Sequence, residues 1–169
     1  VHFRASHPGV KRILQSVNCN KKLQSVGNRL WIKIDSTEWL DHLKDVTCQN
    51  IILSASVKNM HGFLKNRQLL DSWKSRIIPA LPPFIPGKEL TIWETMISRF
   101  SAQGIRRFVC SNIGQSTLFP RGTELIADNP LWIINCASQR AIKKMGFKHF
   151  AFSLEDEYMT ESQDICFEV

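Results

Sequence analysis

A strand-then-helix rhythm constrains this chain more than any other feature of it. "LWIKI" (30–34) is apolar, β-branched and ends at Asp35. "STEWLDHLKD" follows, with Ser36 or Thr37 as cap and Trp39, Leu40 and Leu43 on one face, which predicts a helix. "NIILSAS" (50–56) reads as the next buried strand, and "NMHGFLKNRQLLDSWKS" (59–75) as the next helical stretch. "RIIPALPPFIP" (76–86) is a strand running out into a proline-rich loop, because proline cannot donate to an inner ladder. Ile92, Trp93, Met96, Ile97 and Phe100 make one stripe along "LTIWETMISRFSA" (90–102), the clearest helix, with Gly104 as its stop. "RRFVCSN" (106–112) and "PLWIIN" (130–135) are two more strands. A helix over "ASQRAIKKMG" (137–146), ended by Gly146, then leads into "KHFAFSLE" (148–155).

Six short apolar strands alternating with helices suit parallel strands covered on both faces. Right-handed crossovers then give a TIM-type (β/α) barrel, or an open doubly wound sheet. A full barrel takes about 250 residues, so 169 residues fit a partial or trimmed one. The barrel-like domain is expected over 29–169, behind a basic leader or linker over 1–28.

That leader carries much of the net charge of +7. Arg4, Lys11, Arg12, Lys21, Lys22 and Arg29 precede the first strand with no acid among them. Such an excess suits RNA through counterion release, although a solvated tail has the same composition. A hydrophobic fraction of 43% and a charged fraction of 22% are globular values, which excludes disorder throughout. No uninterrupted apolar run reaches about 18 residues, and the first residues lack the apolar core of a signal peptide. Five cysteines without a C-x-x-C pair argue against a zinc knuckle or a disulfide scaffold, and predict reduced thiols in a cytoplasmic protein. The chain begins with Val, as a fragment or a processed product would.

Both architectures gather function at the carboxyl ends of the strands. There the sequence places Asp35, Ser54, Ser56, Ser111, Asn112, Asn135, Cys136, Ser153 and Glu155. Glu155, followed by Asp156 and Glu157, is the acid/base candidate, because crowded carboxylates raise one another's pKa. The same acids would equally favour the start of a helix. Asn112 and Asn135 offer amides that can orient a substrate or stabilise developing charge, or simply cap helices. Cys136 sits at a helix start, where a thiol pKa falls, yet His149 belongs to the opposite end of the next strand. No histidine spacing suits a metal, and no glycine-rich phosphate loop or G-x-S-x-G elbow occurs. The residues alone therefore name neither reaction nor cofactor.

"ADNPLWIINCASQRAIKKMGFKHFAFSLEDEY" (127–158) resembles a segment of the collagenase-like peptidases of family U-32. In that segment an Asp precedes a strand ending in Asn, a helix leads to Gly, and the next strand ends in Ser-x-Glu. Asp128, Leu131, Asn135, Gly146, Ser153 and Glu155 occupy those positions. "LPPFIP" (81–86), "GIRRFVCSNIGQ" (104–115) and "LWIKID" (30–35) resemble its upstream strands. The resemblance implies a TIM barrel and a peptidase (hydrolase) activity on peptide or protein. Together with the strand-end reading, it puts Glu155, Asn135 and Asn112 in catalysis, and Asp35, Asp128 and Ser153 at the substrate. Proteins of this kind are also similar to RNA-modifying and quinone-hydroxylation proteins, some with an iron–sulfur cluster. The cysteines here do not align with that cluster motif. The family's opening strand motif and cysteine-rich tail are absent, so the chain resembles the middle-to-late part of a longer barrel. The open sheet edges of such a piece predict self-association.

Overall fold

The computed structural model describes residues 30–46, 48–54, 56–131, 133, 136–150 and 165–168. The leader, Asn135, Ser153 and Glu155 lie outside the described residues. The first half runs β1 (Leu30–Ile34), a 3-10 turn (Thr37–Asp41), β2 (Asn50–Ser54), α1 (Val57–Lys65), α2 (Arg67–Trp73) and β3 (Ile77–Ala80). The second half runs α3 (Leu90–Ala102), β4 (Arg107–Cys110), β5 (Glu124–Ala127), α4 (Cys136–Lys144), β6 (Phe147–Phe150) and β7 (Ile165–Glu168). Shorter 3-10 turns occupy Gly87–Glu89, Ile113–Leu118 and Asn129–Leu131.

The strands form one sheet in the order β6-β5-β4-β3-β2-β1-β7, and every pair is parallel. From β1 to β6 the order follows the sequence, without the reversal that marks a doubly wound sheet. The sheet is also strongly curled. In a flat sheet β1 and β5 would stand about 19 Å apart, four spacings of about 4.8 Å, beyond the joint reach of a Lys and an Asp. Yet Lys33 on β1 meets Asp128 after β5 at 3.0 Å, and the rings of Trp31 on β1 and His149 on β6 lie 5.8 Å apart. The architecture is thus an α/β half-barrel of parallel strands with interleaved helices.

Strand alternation sends successive side chains to opposite faces. Ile32, Ile34, Ile51, Leu53, Ile77 and Phe108 face the helices and pack with Met60, Phe63, Trp93 and Phe100. Phe63 stacks on Phe100 at 6.3 Å, and Phe100 meets Phe108 edge-on at 6.2 Å. Each fully buried Phe of this kind contributes about 1.5–3 kcal/mol by leaving water. A second helix-side cluster joins Leu125, Ala127, Ile142 and Phe147 beneath α4. On the concave face a thinner layer of Trp31, Ile52, Ile78, Ala80, Val109 and Ile126 fills the curl.

Pro79 lies inside β3, and its missing N–H shows in the ladder. β3 pairs with β2 over four residues, but with β4 only at Ala80 and Val109. Three expectations need correcting. The fifth strand is Glu124–Ala127, and Pro130 and Leu131, where a strand was expected to begin, belong to the 3-10 turn Asn129–Leu131 because Pro130 lacks a donor. Asp128 therefore follows a strand instead of preceding one. The helix expected over 59–75 is two helices, broken where Asn66 turns extended (φ −84°, ψ 93°) and caps α2 through Leu69 N–H. The segment after β1 forms a single 3-10 turn, with Ser36 capping Glu38 N–H.

Candidate functional site at the carboxyl ends of the strands

Three strand ends meet on the concave side. β1 contributes Lys33, β4 leads directly into Ser111, and β5 into Asp128. Alternation puts Trp31 and Lys33 on the face opposite Ile32 and Ile34, so Lys33 projects inward just before its strand stops. The Lys33 ammonium donates to Asp128 Oδ2 at 3.0 Å, and Ser111 Oγ donates to the same oxygen at 3.0 Å. Asp128 Oδ1 accepts from Asn129 N–H at 3.0 Å. The Asp128 side chain is 7% exposed, so its carboxylate sits well out of water with its charge matched.

Gln115 supports this cluster from the turn after β4. Its Oε1 accepts from Ser111 N–H at 2.9 Å and Asn112 N–H at 3.2 Å, and its Nε2 donates to Pro82 O at 2.6 Å. One buried amide thereby fastens the loop after β3 to the end of β4. Ser111 Oγ is also within 3.3 Å of Leu81 O. Its proton has two acceptors, which suits a positioning hydroxyl better than an activated nucleophile. Cys110, just below, is closed to thiolate chemistry: burial first, then the nearby Asp128 carboxylate, push its thiol up to about 12. Cys48 near β2 is also raised by burial, although Arg76, donating to its sulfur at 2.8 Å, pulls the other way.

Beside the cluster, over the ends of β2 and β3, lies a cleft of about 670 Å³. Ser54, Lys58, Pro82, Phe84, Glu89 and Ile92 are among the residues that line it. That size suits a small ligand or a short peptide. Phe84 (76% exposed) and Ile92 (45%) present bare apolar surface there. Trp93 Nε1, from the same wall, is buried with no hydrogen-bond partner among the described residues.

Of the six residues assigned to catalysis or substrate, Asp128, Asp35 and Asn112 are described. Asp128 stands at the centre of the cluster. Asp35 reaches the same end but is exposed, and its Oδ1 accepts from Trp39 Nε1 at 3.1 Å. Asn112 spends its Oδ1 on Gly114 N–H at 2.8 Å, within a capping box with Gln115. Its observed work is therefore that of a cap. Lys33 and Gln115 were not foreseen. Lys33 had a signal, a lone charge inside the apolar run "LWIKI"; Gln115 had none. His149 stands beside Ile126 in the sheet and faces Glu124 at 3.4 Å instead of the cluster. Among the described residues no three His, Cys, Asp or Glu side chains converge as a metal site, and no helix is long and apolar enough to cross a membrane.

No family model, no curated protein and no solved structure matches this chain.

Proposed function

We propose that the chain is part of a TIM-type barrel hydrolase resembling the U-32 peptidases, and that it binds a peptide at the carboxyl end of its strands. The observation that carries this reading is the Lys33–Asp128 pair, a buried carboxylate answered by a half-buried ammonium, held by Ser111 beside a cleft of about 670 Å³. Charge is expensive to bury, and strand ends in this architecture are where it is buried for use. In this reading water attacks the peptide carbonyl. Glu155 takes the proton from that water and passes it to the departing amine, while the Lys33 ammonium steadies the oxyanion. Asp128 holds Lys33 in place, and the apolar cleft wall at Phe84 and Ile92 receives a substrate side chain.

The test is cleavage of denatured collagen and of a mixed peptide library by the purified chain, followed by mass spectrometry. Wild type gives products; Glu155→Gln lowers the rate at least about 100-fold, and Lys33→Met lowers it with circular dichroism unchanged. A chain that releases no fragments, or a Glu155→Gln form as fast as wild type, removes the peptidase reading.

A further inference from the structure

The opposite end of the half-barrel, where the strands begin and the helices finish, has its own chemistry. Lys65 and Arg99 stand in the last turns of α1 and α3, and Lys143 and Lys144 in the last turn of α4. Arg106 precedes β4, Arg121 lies in the turn before β5, and Lys148 is on β6. All seven are exposed, and none has a carboxylate partner among the described residues. The carboxylates of this end include Asp41, Asp45, Asp71 and Glu124; Asp41 already faces Lys44, Asp71 faces Lys74, and Glu124 faces His149. The helix dipole accounts for the cations in last turns. It does not account for Arg106, Arg121 and Lys148, which belong to no helix.

A small cleft of about 180 Å³ is lined by His61, Lys65, Arg99 and Gln103. There Arg99 lies 3.0 Å from His61 Nε2, with no acid in the lining. Among the described residues, large exposed apolar side chains are segregated from this end: Phe84, Leu90, Ile92 and Ile113 are at the mouth, and only Met145 is here. An anionic membrane would want apolar anchors beside the cations. Guanidinium groups with few anchors suit phosphodiesters.

The geometry points to an RNA-binding face on the base of the half-barrel, reading phosphates and separate from the mouth. It stands independently of the peptidase reading. The test uses the full chain and a labelled single-stranded RNA of about 16 nucleotides, titrated between about 50 and about 200 mM salt. Wild type binds, and its affinity falls steeply as salt rises. The triple variant Arg99→Gln, Arg106→Gln, Arg121→Gln binds at least about tenfold more weakly and loses roughly 2 from the log–log salt slope. Lys58→Gln with Lys88→Gln, at the mouth, leaves that slope nearly intact. A leader variant with Lys11, Arg12, Lys21 and Lys22 changed to Gln still responds to the triple substitution. The proposal is overturned if RNA does not bind at the lowest salt, or if the triple variant binds like wild type while the leader variant loses all binding. Capture by phosphatidylserine vesicles without RNA binding overturns it as well.

Discussion

The two faces of the sheet are built from the same strands to opposite ends. Toward the helices, Ile32, Ile51, Ile77 and Phe108 join Phe63, Trp93 and Phe100 in one continuous apolar body. On the concave side the apolar layer is one residue deep, and charges or amides stand above and below it: Lys33 and Asp128 toward the mouth, Asn50 and Arg107 toward the base. Asn50 Oδ1 accepts from Arg107 at 2.8 Å, yet its Nδ2 has no partner among the described residues, a state that costs about 1–3 kcal/mol. One face is organised for cohesion. The other keeps polar groups out of water, where they are expensive and available.

Substitutions can break or sharpen that contrast. The largest effect is expected on the helix side, where Phe100→Ala lowers unfolding free energy by about 3–5 kcal/mol, read by chemical denaturation. A loss below about 1 kcal/mol would mean that the helix layer is not what holds the sheet.

Next comes the concave pair. Lys33→Met strands a buried carboxylate and costs about 2–3 kcal/mol, and adding Asp128→Asn recovers at least half. A double variant no better than the single one would show that the two charges do not tie β1 to β5.

Cys110 sharpens the contrast through pH. Its folded pKa of about 12 lies above the ordinary 9.0. The unfolded thiol therefore ionises first, and stability that is whole below about 9 drains away as pH rises toward 12. By pH 10 the wild type loses about 1.4 kcal/mol more than Cys110→Val. Peptide mapping after labelling at pH 8 leaves Cys48 and Cys110 unmodified in the folded chain. Rapid labelling of Cys110 would show β4 to be open.

A similar, purely local effect belongs to Ser56, whose side chain accepts from Asn59 N–H at 3.3 Å at the start of α1. Ser56→Ala costs about 1 kcal/mol. Smallest of all is Asp71→Asn: its exposed bridge to Lys74 leaves the denaturation midpoint where it was, and a clear shift would mean that surface charge matters more here than burial.

Much of the α/β rhythm was legible because it is local. "LWIKI" and "LTIWETMISRFSA" carry their own period, and both elements fall at Leu30–Ile34 and Leu90–Ala102 as expected. Gly146, at φ +95°, ends the segment after α4 because that left-handed conformation strains any side chain. Elsewhere local signals misled. "PLWIIN" is more apolar than "ELIA", yet it is the latter that pairs with β4, while Pro130 and Leu131 fall in a 3-10 turn. Asn66 breaks a helix whose apolar stripe runs straight through it.

By itself, the sequence determined that short apolar strands alternate with helices, and that its cations outnumber its acids. Periodicity and charge are properties of neighbouring residues and survive without a fold. Only the tertiary structure decided that Lys33 would answer Asp128 across 95 residues, and that Lys65, Arg99, Arg106 and Arg121 would share the far end. Both follow from the curl of the sheet, which sets distances between strands that no local pattern encodes.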